Sequence, residues 1–249
     1  HECSSAASDV YKRQIFGCPC QHHTGEASCS WPCHMAITRQ SLSLYLVTDP
    51  FLCAQTGLVE TVTAALKGGV SFVQIRDKQA TTRQLISIAL QVKQVIAGSH
   101  IPLVINDNVE AAIASEVDGV HIGQEDMDAA EVRELIGPDR ILGLSVETEA
   151  TALNLDPAII DYAGAGPVFA TQTKRDHKMP IGFTGLKRLC SCLTVPVVAI
   201  GGLKEEHCTA ALAAGADGVA VVSAICGQPD PEQSARNLLA SLERGEGEL

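Results

Sequence analysis

Two stretches share one plan: IPLVINDNVEAAIASEVDGVHIGQ at Ile101–Gln124 and VPVVAIGGLKEEHCTAALAAGADGVAVVS at Val195–Ser223. Each has an entering Pro, a short β-branched run, a loop and an Ala/Leu-rich amphipathic stretch, then Asp-Gly before a second β-branched run. An apolar run, a helical period and another apolar run form a βαβ unit, because parallel strands need a long crossover connection. Ordinary βαβ units by themselves produce much of this likeness. Its recurrence favours parallel strands in a cyclic arrangement.

Working outward, the same alternation extends from Ser41 to the C-terminal region. Strands are predicted at Leu42–Thr48, Val70–Arg76, Pro102–Asn106, Gly119–Gly123, Ile141–Val146, Ile160–Ala163, Pro196–Ile200 and Gly218–Val222. Helices are predicted at Thr56–Lys67, Thr82–Ile96, Val109–Ser115, Ala129–Ile136, Lys204–Ala214 and Pro231–Leu242, with another near Phe183–Cys192. A doubly wound open sheet needs fewer strands and a Gly-rich first turn. The expected fold is therefore α/β, a single-domain TIM (β/α)8 barrel over residues 41–249.

Composition sets the outer limits. With 46% hydrophobic and 19% charged residues, the chain can bury a sizeable core and is not a disordered sequence. Aromatics at 4% favour close helix-on-sheet packing over an aromatic-rich β-sandwich. The net charge of −11 lacks the basic footprint that nucleic acid requires. No apolar run approaches the roughly 18 to 20 residues that span a bilayer, and the start lacks the basic-then-apolar order of a secretory signal. The expectation is a cytoplasmic protein whose partners are small molecules, with neither nucleic acid nor membrane; a homo-oligomer is compatible with the sequence.

Residues 1–40 stand apart. They hold five of the ten cysteines and four of the eight histidines, with no sustained period. They are read as an irregular leader, a fragment or translated flanking sequence, with Met35 as a candidate true start. Cys18, Cys20 and His22, and Cys29, Cys33 and His34, match no trusted zinc spacing. Lys12, Arg13 and Arg39 balance Glu2, Asp9 and Glu26, so the −11 belongs to the barrel.

In a barrel, the strand C-terminal ends build the site, and the unusual polar residues fall there. After the second strand, a period of two puts Gln74, Arg76 and Lys78 on one side and Ile75 on the other. A guanidinium fork beside an ammonium suits a diphosphate, although an interior salt-bridge network would also accommodate them. Asp107 and Asp126, at the third and fourth strand ends, could share a Mg²⁺ that also takes phosphate oxygens; Asn108 or Asp126 could equally be a helix N-cap. Asn106 and Ser145 end the third and fifth strands. Thr171 and Thr173 alternate, with Lys174 behind them. Gly201-Gly202 and Val222-Ser223 follow the seventh and eighth strands, where barrels commonly seat a phosphate, although Gly-Gly can be a plain turn. No catalytic Ser-His-Asp or Cys-His arrangement, phosphate loop or H-E-x-x-H is readable.

The segments LYLVTDP, GGVSFVQIRDK, PLVINDNVEAA, DGVHIGQEDM, ILGLSVET, DYAGAGPVFATQTK, VPVVAIGGL and GADGVAVVSAI resemble the thiamine phosphate synthase family over roughly 200 residues. The resemblance implies a TIM barrel transferase that joins a pyrimidinylmethyl diphosphate to a thiazole phosphate or its carboxylated form, giving thiamine phosphate and diphosphate. It implies that Gln74, Arg76, Lys78, Asn106, Ser145 and Lys174 bind the pyrimidine diphosphate and that Asp107 and Asp126 hold Mg²⁺. It further implies that Thr171, Gln172, Thr173, Gly202, Val222 and Ser223 bind the thiazole phosphate. Diphosphate would leave first, helped by Mg²⁺, Arg76, Lys78 and Lys174, and the thiazole nitrogen would capture the resulting pyrimidinylmethyl cation. The alternatives are a thiazole tautomerase of the same barrel family, which needs no full diphosphate site, and a silent barrel that binds thiamine phosphates. His121, within the fourth strand, is read as a packed or pocket-lining side chain, and the barrel cysteines as small reduced apolar residues.

Overall fold

The computed structural model describes residues 37–171 and 179–247. The leader through residue 36, including Met35, lies outside the described residues, as do Gln172, Thr173 and Lys174. The strands are β1 Leu44–Val47, β2 Phe72–Ile75, β3 Leu103–Asn106, β4 Gly119–Ile122, β5 Ile141–Val146, β6 Tyr162–Ala165, β7 Val197–Ile200 and β8 Gly218–Val221. The helices are α1 Leu58–Lys67, α2 Thr82–Ile96, α3 Val109–Ser115, α4 Ala129–Ile136, α5 Glu149–Leu153, α6 Gly182–Cys192, α7 Cys208–Ala213 and α8 Pro231–Gly247. Each strand pairs in parallel with the next, and β8 returns to β1, closing the expected TIM barrel.

Both faces of every strand are covered, which explains the nearly continuous apolar runs. The period of two divides them. Leu44, Leu46, Val73, Ile75, Leu103 and Ile105 face outward and pack with Val62 and Ala65 of α1 and Leu85, Ala89 and Val92 of α2. Tyr45, Phe72, Val104, Ile141, Tyr162, Val198 and Ala220 fill the interior as a separate cluster. The interior is narrow. Gly143 lacks a Cβ because one there would collide with the Tyr162 ring.

The rim at the strand N-terminal ends carries a fourfold brace. Ser71, Asp118, Asp161 and Asp217 immediately precede β2, β4, β6 and β8. Their side-chain oxygens accept from the backbone N–H of Leu44, Leu103, Leu142 and Val197 at 3.0, 2.7, 2.7 and 2.8 Å. Each brace residue returns its own N–H to the carbonyl of that same partner. The Asp-Gly pairs that closed the two opening stretches are Asp118-Gly119 and Asp217-Gly218 of this brace. Arg133 reinforces the third member with a 2.7 Å ion pair to Asp161.

The structure also moves several expected boundaries. β6 begins at Tyr162 rather than Ile160, because Asp161 is occupied as a brace and the preceding residues form a turn. Lys204–Ala214 splits into a 3-10 turn at Glu205–His207, which contains both glutamates, and α7. α1 starts at Leu58 behind Gly57, whose φ of 94° is not helical. Asn108 is an N-cap, accepting from Ala111 N–H at 2.8 Å, whereas Asp126 is not; Asp128 caps α4. The short α5, capped by Thr148, adds a helix that the sequence reading did not single out.

Candidate active site

A cavity of about 260 Å³ opens at the C-terminal mouth of the barrel. It is lined on the β2–β4 arc by Gln74, Arg76, Lys78, Asn106, Asp107 and Asp126, and on the β6–β8 arc by Thr171, Gly202, Val222 and Ser223, with Ser145 of β5 between them. Every expected site residue within the described residues thus meets at one cavity.

Local structure explains why these side chains stand there. Thr48, fully buried just after β1, accepts from the backbone N–H of Arg76 at 3.1 Å and so fixes the chain as it leaves β2. Asp77 takes the turn, accepting from the N–H groups of Gln79 and Ala80 at 2.9 and 3.1 Å. Its carboxylate thereby caps a turn, while Arg76 and Lys78 on either side remain on the cavity wall. Arg76 makes no ion pair with a carboxylate among the described residues, so the interior salt-bridge reading does not hold for it there.

Asp107 leaves β3 with φ 62°, a left-handed conformation unusual for a residue with a side chain. Its N–H donates to the His121 carbonyl at 2.9 Å, and its half-buried carboxyl interacts with that of Asp126. Burial first, and then the Asp126 carboxylate, push its pKa up to about 7, against the opposing pull of Lys78 and Arg76. Asp126 in turn accepts from Gly123 N–H at 2.7 Å, which holds the β4 loop over the site.

Other groups were not singled out from the sequence as site residues. Gln124 and Glu147 line the cavity, and Gln124 Nε2 donates to the Ser145 carbonyl at 2.6 Å. His121 is both packed and pocket-lining: it is buried on β4, and its ring nitrogens meet Tyr162 and Ser145. Tyr45 and Tyr162 lie below the cavity and are hydrogen-bonded to each other at 2.8 Å.

A family model described as thiamine monophosphate synthase matches residues 44–225, the whole length of the barrel sheet. The chain belongs to the thiamine monophosphate synthase family. Relatives agree with the family model. A thiamine-phosphate synthase of Psychrobacter sp. is 48% identical over 205 residues, covering 80% of this chain and 95% of that protein. One of Xanthobacter autotrophicus is 49% identical over 201 residues, covering 81% and 95%. The solved thiamine phosphate pyrophosphorylase of Pyrococcus furiosus superposes with a TM-score of 0.76 at 35% identity, over 83% of this chain and 98% of its own. A 3-hexulose-6-phosphate synthase, at 18% identity and TM-score 0.58, shares the fold alone. Within the thiamine monophosphate synthase family, then, the described part of this chain presents a cavity with cations and a carboxylate pair on one arc and small residues on the other. No helix among the described residues is long and apolar enough to cross a membrane.

Proposed function

We propose that the chain is a transferase that joins an aminopyrimidinylmethyl diphosphate to a thiazole phosphate, giving thiamine phosphate and diphosphate. One observation carries this reading: a single cavity in a thiamine monophosphate synthase barrel gathers Arg76, Lys78, Asp107 and Asp126 on one arc and Gly202, Val222 and Ser223 on the other. Two arcs suit two phosphorylated ligands.

The division of labour follows from charge. Arg76 and Lys78 receive the diphosphate, and their attraction grows as the C–O bond to it breaks and negative charge builds on the leaving oxygen. Gln74 and Asn106 hold the pyrimidine end, and Ser145 meets the diphosphate. Thr171, Gly202, Val222 and Ser223 seat the thiazole phosphate so that its ring nitrogen faces the methylene carbon. Val47 and Ile200 give the cavity apolar walls that exclude water from the cation. No protein nucleophile is required; alignment and neutralisation carry the reaction. Gln172, Thr173 and Lys174 join these sets on the strength of the sequence resemblance.

The carboxylate pair fits Mg²⁺. Two neighbouring carboxylates repel each other unless a proton or a cation relieves them, as the raised Asp107 pKa reflects, and Mg²⁺ typically takes one or two protein carboxylates, with phosphate and water completing its shell. Asp107 and Asp126 would hold it, and when bound it would neutralise part of the diphosphate charge. We place the reaction in the cytoplasm.

The test is incubation of the purified protein with both phosphorylated precursors, with Mg²⁺ or with chelator, measuring thiamine phosphate and diphosphate. Stoichiometric release of both products only with Mg²⁺ is expected. Isomerisation of thiazole phosphate alone, without diphosphate release, would replace this reading with a tautomerase.

A further inference from the structure

Four hydrogen bonds form a continuous chain across the barrel interior beneath the cavity. Gln74 Nε2 on β2 donates to Tyr45 OH on β1 at 2.7 Å. Tyr45 OH meets Tyr162 OH on β6 at 2.8 Å, Tyr162 OH meets His121 Nδ1 on β4 at 2.9 Å, and His121 Nε2 meets Ser145 Oγ on β5 at 3.0 Å. Gln74 and Ser145 at the two ends line the cavity, while the two tyrosines are buried and do not.

The number of protons gives the chain a direction. Burial raises the pKa of both phenols, so each keeps its one proton. A neutral imidazole likewise has one N–H and one acceptor nitrogen. With His121 as a neutral imidazole, each of the three middle groups donates once along the chain and accepts once. With Gln74 donating, Tyr45 must donate to Tyr162 and Tyr162 to His121 Nδ1. His121 must then carry its proton on Nε2 and donate to Ser145. The Ser145 hydroxyl proton is left for a ligand, and Gln74 keeps Oε1 as an acceptor for a ligand. A flip of the Gln74 amide would reverse every bond and turn Ser145 into an acceptor.

We propose that this relay is a specificity device, with Tyr45, Tyr162 and His121 as positioning residues that lock Gln74 as an acceptor and Ser145 as a donor together. The inference rests on the reaction proposed above. An isolated Gln side chain would rotate its amide to suit either an amino or an oxo substituent. Tied to the relay, it can accept an oxo group only by reversing four hydrogen bonds and turning the Ser145 lone pairs toward the anionic diphosphate. The site thus selects a ligand with an N–H donor at the Gln74 end and an anionic oxygen at the Ser145 end. An aminopyrimidinylmethyl diphosphate meets that demand; its oxo analogue does not.

The experiment compares wild type, Tyr45→Phe, Tyr162→Phe and the double variant, using the amino substrate, the oxo analogue and thiazole phosphate. Wild type should prefer the amino substrate strongly in kcat/KM. Each single variant should lose about tenfold of that preference, mainly through KM for the pyrimidine, with KM for thiazole phosphate unmoved. The double variant should lose no more than either single one, because severing one link already frees both ends. Retained preference in folded single variants overturns the relay, whereas a wild-type protein without turnover overturns the proposed reaction instead. Nitrogen chemical shifts of His121 in wild type provide a check that needs no variant: the Nε2–H tautomer is expected, and the Nδ1–H tautomer overturns the direction.

Discussion

Arg76 and Asp107 show how single residues divide the work at the mouth. Arg76 has its backbone anchored by Thr48 and its side chain on the cavity wall, so its replacement removes charge from the site without opening the core. Arg76→Ala should lower kcat by about 10²–10³-fold, the scale for losing one preorganised stabiliser of developing charge, with unchanged circular dichroism. Near-normal turnover would sink its role. Asp107 works against the fold, because its carboxyl is buried against Asp126. Asp107→Asn should therefore unfold no earlier than wild type in a thermal melt while losing most Mg²⁺-dependent turnover. Gln74, Arg76, Lys78, Asp107 and Asp126 were legible in the sequence because charged and amide groups at the ends of apolar runs have few structural reasons to be there. Tyr45 and Tyr162 were not, because an aromatic inside a strand reads as core. Only the closed barrel brings residues 117 positions apart within 2.8 Å.

At the scale of elements, the brace explains how eight short strands are held in register. The Leu103 N–H lies at the rim of β3 and is satisfied by Asp118. Asp118→Ala leaves that donor without its charged acceptor and should cost about 1–3 kcal/mol in denaturant unfolding. Burial raises the Asp118 pKa, against the smaller pull of the Leu103 N–H and Lys93. A raised carboxylate favours the folded state fully below its unfolded pKa, and that contribution is lost as pH climbs through the folded value. Asp118→Asn keeps an acceptor oxygen but has no such loss, so its stability relative to wild type should rise with pH across that interval, as paired urea titrations would report. The helices Thr82–Ile96, Val109–Ser115 and Ala129–Ile136 were legible to the residue because Thr81, Asn108 and Asp128 cap them. The start of β6 was not, since a brace residue and an interior strand residue look alike until their hydrogen bonds are known.

On the scale of the whole molecule, a net charge of −11 opposes the approach of anionic substrates, while Arg76 and Lys78 attract them near the mouth. Raising ionic strength from about 10 to about 150 mM shortens the screening length from about 30 to about 8 Å. The distant repulsion should fade before the local attraction, so kcat/KM for the pyrimidine diphosphate should rise over that range at fixed Mg²⁺. A steady fall would mean that the local field governs encounter. The cyclic βα order was readable from Ser41 onward because each unit repeats the same period. The union of the two arcs at one mouth was readable with it, since a closed barrel brings β8 back beside β1.

Each brace joins an odd strand to the even strand that follows it. A break between Pro138 and Asp139, in the link from α4 to β5, therefore severs none of the four and leaves two in each half. Two halves expressed separately with that break should reassemble when mixed, and a circular permutant with new termini there should fold. A break between β3 and β4 would divide a brace and should do neither. The rim thus marks out a modular grain in the chain, along which the barrel can be cut, rejoined or duplicated.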